Sequence, residues 1–274
     1  MSHQFPAPLP RRALGSTGLD VSCLGLGTVK IGRNEGVKYP AGFQLPDDAL
    51  VRDILALCRD AGMNLIDTAP AYGSSEERLG ALLTQRQDWV ICSKVGEEFN
   101  AGHSHYDFSA AQVRRSIERS LRRLKTDYLD IVLIHSDGRD EALLRDGECL
   151  EALQRCRDAG LLRTIGMSTK TVAGGLLAVE KTDVVMVTFN PDAQEDAAVI
   201  GHAHALHKGV LIKKALNSGH AATPHDGARE ADPVQRNLDF IFARPGISAV
   251  IIGSITPAHL RHNIEAALRA TAPF

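Results

Sequence analysis

The stretch "YLDIVLIH", residues 128–135, is apolar at almost every position. A strand with one wet face alternates polar and apolar residues, so a near-continuous run reads as a parallel strand buried on both sides. Working outward, the same kind of run recurs as "CLGLGT" (23–28), "MNLID" (63–67), "WVICSK" (89–94), "LRTIGMS" (162–168), "DVVMVTFN" (183–190), "GVLIKK" (209–214) and "ISAVIIGS" (247–254). The segments between them have helical period. Over 47–61, Leu50, Ile54, Leu57 and Ala61 share a face after Pro46-Asp47, with Gly62 as a stop. Ser74 and Glu77 are spaced as a capping box for the next helix. Segment 110–124 sets Val113, Ile117, Leu121 and Leu124 against an arginine-rich outer face.

Eight strands alternating with helices predict a closed (β/α)8 TIM barrel, with an open doubly wound sheet as the alternative. Against the open sheet, Gly25 and Gly27 lead into "TVKIGRNEG" without the third glycine or the helix start of a dinucleotide fingerprint. Ahead of the barrel, Gly15-Ser16-Thr17-Gly18 is a turn between two short apolar stretches, which predicts a small N-terminal β-hairpin. Residues 1–274 are expected to form one domain, with 1–10 a flexible tail.

Composition narrows the function classes. A formal charge of −2 and 44% hydrophobic content give no general attraction to nucleic acid or anionic lipid. Five cysteines, odd in number and without metal-type spacing, suit reduced thiols in a cytoplasmic protein without disulfides. The N-terminus lacks the apolar core of a signal peptide, and no run approaches the ~20 apolar residues of a membrane span.

In such a barrel chemistry collects at the carboxyl ends of the strands. The second run ends on Asp67, the third on Lys94 and the fourth on His135, and the loop after the second carries Tyr72 between Pro70 and Gly73. A phenol is a sluggish acid with an unperturbed pKa of ~10, and a nearby ammonium favours its phenolate. Lys94 is expected to lower the Tyr72 pKa in this way, Asp67 to keep Lys94 charged, and His135 to orient a substrate carbonyl. After the eighth run, Gly253, Ser254 and the helix start at Thr256-Pro257 make an anion site. Phosphate-binding loops after strands seven and eight would also include Lys213, Lys214 and Leu216.

The chain resembles the aldo-keto reductase superfamily through "LGSTGLDVSCLGLGT", "LIDTAPAYGSSEERLG", "VICSKVG", "TDYLDIVLIH", "RTIGMS" and "IIGSITPAHLRHNIEAA", in family order from about residue 12 to 269. The resemblance implies hydride transfer between NADP(H), with NAD(H) as the alternative, and a small carbonyl or alcohol substrate: an aldehyde, ketone or sugar. It makes Tyr72 the proton donor, Lys94 and Asp67 its tuning pair and His135 the orienting group. It places Ser168 at the nicotinamide amide and Asn263 near the adenine, and Gly27 and Thr28 complete the cofactor set. Three features depart from the family pattern. Thr169 and Met186 replace an asparagine and a glutamine that serve the carboxamide, Lys213 stands where a stacking tyrosine is common, and Gly253 and His259 occupy the positions of two basic 2′-phosphate clamps.

Two other readings compete: a Schiff-base aldolase using Lys94, and a nicotinamide-binding redox-sensing subunit with slow turnover. "HSH" at 103–105 with Asp107, and "HAHALH" at 202–207, lack a recognised metal-ligand spacing. Arginines 114, 115, 119, 122 and 123 read as a solvated helix face. Substrate specificity is assigned to loops 30–44 and 96–108 and to the end of the chain after Arg269; oligomeric state is silent.

Overall fold

Eight parallel strands close on themselves in the computed structural model, which describes residues 5–37, 42–217 and 232–272. A two-stranded antiparallel hairpin, β1 (Arg11–Ala13) and β2 (Asp20–Ser22), precedes the barrel. The barrel strands are β3 (Leu24–Gly27), β4 (Leu65–Asp67), β5 (Val90–Val95), β8 (Leu129–His135), β9 (Leu162–Ser168), β10 (Val184–Thr188), β11 (Gly209–Lys213) and β12 (Ala249–Ile252). Each of the eight apolar runs supplies one of them, in sequence order around the barrel, with β12 pairing back onto β3. A second hairpin, β6 (Glu97–Asn100) and β7 (His103–Tyr106), rises directly from β5. The helices are α1 (Val29–Gly32), α2 (Asp48–Asp60), α3 (Ser75–Leu82), α4 (Ala110–Leu124), α5 (Asp140–Asp146), α6 (Glu148–Asp158), α7 (Val172–Lys181), α8 (Ala197–Ala205), α9 (Pro233–Phe242) and α10 (Pro257–Ala270).

Two apolar clusters divide the core. The larger lies between strands and helices, where Ile54, Ile117, Val132 and Ile264 meet. The smaller fills the barrel: Leu65, Cys92, Leu133, Met186 and Leu211 pack with Leu14, Leu19 and Val21 of the N-terminal hairpin. The hairpin closes the N-terminal mouth of the barrel. At its turn Gly15 has φ +56°, and a Cβ there would sit 2.5 Å from the Gly209 amide nitrogen at the start of β11. Side chains alternate along a strand, so Asp67, Lys94, His135 and Lys213 lie two residues beyond Leu65, Cys92, Leu133 and Leu211 on the same inward face. They form the next layer up, at the opposite, open mouth.

Several local expectations are corrected by tertiary contacts. Asp47 does cap α2, accepting from the Leu50 N–H at 2.8 Å, and Gly62 follows at φ +74°. The Ser74–Glu77 capping box does not form: Ser74 precedes α3 without a side-chain cap, and Glu77 turns to Arg123 of α4 at 3.0 Å. The tail expected over 1–10 is tied down before its end, because Leu9 is buried and its N–H donates to the Ala61 carbonyl at 2.8 Å; residues 1–4 lie outside the described residues. The segment 96–108 is largely the β6–β7 hairpin, not a loop. In the loop 30–44, residues 38–41 lie outside the described residues, as do 273 and 274 of the chain end. The arginine face of α4 is only partly solvated, since Arg119 pairs with Glu98 and Arg123 with Glu76 and Glu77. All five cysteines are buried free thiols.

Candidate active site

Tyr72 owes its position to a pair of glycines. Residues 70–72 form a single 3-10 turn opened by Pro70, and Gly73 leaves it at φ +60°. A Cβ on Gly73 would lie 2.2 Å from the Gly32 carbonyl oxygen, and one on Gly32 would lie 2.1 Å from the Ser75 nitrogen. Only two glycines let α1 press this closely on the turn. Arg33 clamps the same turn, donating from Nη1 to the Ala71 carbonyl at 3.0 Å.

Beneath the phenol the strand ends converge. Lys94 Nζ donates to Asp67 Oδ1 at 2.5 Å and to the Thr68 carbonyl at 3.0 Å, and it stands 4.7 Å from the Tyr72 ring centroid. The Tyr72 and His135 rings meet edge to face, 6.2 Å apart at 85°. Burial opposes the Lys94 charge, but Asp67, with Tyr72, outweighs it and raises the lysine pKa, so Lys94 stays an ammonium. The Tyr72 pKa is also raised, which corrects the expected lowering. Burial is the largest influence, Lys94 pulls down, and Asp67 pushes up again. Burial, aided by the neighbouring Lys94 and Lys213, lowers His135 against the opposing pull of Glu97, leaving the imidazole neutral at neutral pH. His135 Nδ1 lies 2.8 Å from Glu97 Oε2 but without the alignment of a hydrogen bond, so the contact is one of proximity. Burial works against the Glu97 charge, yet His135, the Ser104 hydroxyl and Arg33 together hold its carboxyl down at about 2.

These groups line a cavity of about 930 Å³ with Gly27, Ser168, Thr169, Lys213, Lys214, Leu216 and Gly253. The remaining sequence-derived positions stand apart from its wall. Thr28 is fully buried, donating to the Asp67 carbonyl at 2.9 Å and accepting from Ser75 Oγ at 2.7 Å, so its hydroxyl buttresses β4. Ser254, Thr256, His259 and Asn263 follow β12 into α10. Thr256 is at the N-cap position but its side chain makes no cap, and the Ser254 hydroxyl instead accepts from the Thr256 N–H at 3.2 Å. His259 is exposed and Asn263 buried. Lys213 Nζ donates to Ser168 Oγ at 2.9 Å and to the Thr169 carbonyl at 2.6 Å. Among the described residues no group of three metal-ligating side chains assembles, and no helix is long and apolar enough to cross a membrane.

Residues 23–223 match the model of the Aldo/keto reductase family. The chain belongs to this family. As an aldo-keto reductase it is an oxidoreductase, and it resembles the crystal structure of a Pseudomonas aeruginosa protein assigned to the aldo-keto reductases, with 49% identity, 99% of this chain and 100% of that one covered, and a TM-score of 0.88. An uncharacterized oxidoreductase of Bacillus subtilis (strain 168) is 26% identical, covering 94% of this chain and 90% of its own. L-galactose dehydrogenase of Arabidopsis thaliana is 28% identical over 93% of this chain and 87% of its own.

In this aldo-keto reductase, sequence reasoning missed Glu97 as the neighbour of His135. Its only signal was the acidic pair "EE" directly after Gly96, and nothing local says that the hairpin folds back over β8. Arg33, Tyr106, Lys170 and Asp196 also line the cavity without having been singled out. The competing Schiff-base reading of Lys94 does not suit an ammonium locked onto Asp67.

Proposed function

We propose that the chain interconverts an aldehyde or ketone and the corresponding alcohol, or a sugar hemiacetal and its oxidised form, with a nicotinamide dinucleotide as partner. The observation that carries this reading is the Asp67–Lys94 pair set beneath the Tyr72 ring and beside His135 at the wall of one cavity. Tyr72, kept protonated by burial, donates its proton to a carbonyl oxygen as negative charge develops there. Lys94 stabilises the phenolate left behind, and Asp67 keeps Lys94 charged. Neutral His135 donates a hydrogen bond to the same oxygen. In oxidation the phenolate takes the proton back.

Three features of this chain fit the dinucleotide. Thr169 lines the cavity, and its Oγ1 is buried without a hydrogen-bond partner. Gly253 is open, and a Cβ there would close to 3.1 Å on the Gly27 carbonyl. The start of α10 has no side-chain cap on its first amides, which suits a phosphate. When bound, the dinucleotide supplies or accepts the hydride. NADP(H) is favoured over NAD(H) by the residual donors near the helix start, with a discrimination of about 1–2 kcal/mol, because neither Gly253 nor His259 is the Arg or Lys that grips a 2′-phosphate best. The family relationship to a sugar dehydrogenase makes aldoses a leading substrate class.

A panel of aldehydes, ketones and aldoses with each coenzyme, followed by the absorbance of the reduced nicotinamide, tests this reading; no turnover across the whole panel overturns it. Thermal shifts at equal concentrations of the two coenzymes test the preference, and an equal or larger shift with NADH overturns the choice of NADPH.

A further inference from the structure

Two of the lysines that line the cavity, Lys94 and Lys213, stand in opposite circumstances. Lys94 is held by the Asp67 carboxylate and keeps its proton. Lys213 touches only neutral acceptors, Ser168 Oγ at 2.9 Å and the Thr169 carbonyl at 2.6 Å, and among the described residues no carboxylate lies within ion-pair distance of its Nζ. An ammonium has three hydrogens to place, whereas an uncharged amine has two and a lone pair. Two acceptors satisfy the uncharged form in full and leave one tetrahedral position for the lone pair. Of the charged groups nearest Lys213, the cations disfavour its charge and the carboxylates that favour it are engaged by other donors. Lys214 and Lys94 are cations, and of the carboxylates Asp140 accepts from the Lys170 and Thr171 amides and the Thr171 hydroxyl, while Asp196 accepts from the Thr188 amide. Burial first, then the Lys214 cation, brings Lys213 down to about 7 against the weaker pull of the two aspartates.

We propose that Lys213 is a nucleophilic amine that forms an imine with an aldehyde or ketone bound in this cavity, an activity separate from hydride transfer. The Nζ lone pair attacks the carbonyl carbon, and the C=O π pair moves to oxygen. One N–H proton ends on that oxygen, giving a carbinolamine. The C–O bond then breaks, the second N–H proton departs with the oxygen as water, and the C=N bond closes. No oxidant or reductant enters, and Tyr72 and His135 line the same cavity to carry the protons. Ser168 and the Thr169 carbonyl act as positioning groups that aim the amine.

The test uses the full chain without coenzyme, glyceraldehyde as the probe, and cyanoborohydride to reduce any imine, read by intact mass and peptide mapping. At neutral pH an ordinary lysine near 10.4 is uncharged in only about one molecule in 2,500. Lys213 is therefore expected to be labelled at least about tenfold faster than any other lysine, with one adduct per chain. Lys213→Arg, checked for folding by its melting curve, should lose that adduct. Uniform labelling of the exposed lysines, an adduct concentrated on Lys94, or no adduct at all overturns the proposal, and the wild-type peptide map decides even if the variant does not fold. With no coenzyme in the reaction, the outcome is independent of the coenzyme panel: either reading can fail while the other stands.

Discussion

Two buried aspartates on barrel strands, Asp130 and Asp67, are both paired with cations, yet they sit at opposite ends of the barrel and do different things. Asp130, the second residue of β8, meets Arg86 Nη2 at 2.9 Å and Arg163 Nη1 at 3.2 Å, and accepts from the Ile91 N–H at 2.9 Å. Its partners are guanidiniums that stay charged in any environment, and Arg163 reaches solvent. The network ties the starts of β5, β8 and β9 together. Asp67, the last residue of β4, holds a lysine beneath a phenol, beside a cavity. The same pairing is a tie at the closed end and, in the proposed mechanism, a chemical device where a substrate can approach it. Access, more than charge, separates structure from function in this barrel.

The largest expected effect breaks the cavity end alone. Tyr72→Phe removes the proposed proton donor, and turnover should fall by at least ~10² while the coenzyme-induced thermal shift persists. Near-normal turnover on a good substrate would remove Tyr72 from the mechanism. At the other end, Asp130→Ala leaves Arg86 and the Ile91 amide without their partner. About 3 kcal/mol of stability should be lost in denaturant melts, with kcat of the folded fraction unchanged; a change in kcat would mean that the two ends are coupled.

A smaller effect links backbone to chemistry. Gly73→Ala puts a Cβ against the Gly32 carbonyl at a φ that favours glycine, at a cost of about 2 kcal/mol, and should depress turnover by displacing Tyr72. Full activity in this variant would show that the turn yields without moving the phenol. A last effect, of the same order, concerns pH. Lys213 is lowered from 10.5 to about 7, so between those values the unfolded chain carries a proton that the folded chain lacks. The Lys213 contribution to stability therefore rises with pH across that window, since at this residue the unfolded state binds more protons there. The rise should be of the order of 2 kcal/mol, allowing for the part of the side chain open to the cavity, and Lys213→Met should abolish it. Identical pH–stability curves for the two proteins would mean that Lys213 is not depressed.

The eight strands and their order were legible because each is a short run whose burial on both faces is written in its own residues. The strand-end positions of Asp67, Lys94 and His135 followed from the same runs, and helix 110–124 was read to the residue. Where one segment's fate depended on another, local reading failed. Glu77 had the spacing of a capping partner but found Arg123 on the neighbouring helix, a stronger and charged alternative. Glu97 came to His135 only because the β6–β7 hairpin folds over the mouth.

What the sequence determined by itself is the alternation of strand and helix, the barrel that follows from it, and which side chains stand at the strand ends, since periodicity and side-chain direction are short-range properties. What only the tertiary structure decided is the protonation of those side chains. Tyr72 is pushed up where Lys94 alone would pull it down, and of the cavity lysines Lys94 is locked as an ammonium while burial and its cationic neighbour bring Lys213 down to about 7. Desolvation and ion pairing are sums over every neighbour in space, and those neighbours come from strands far apart in the chain that meet only when the barrel closes.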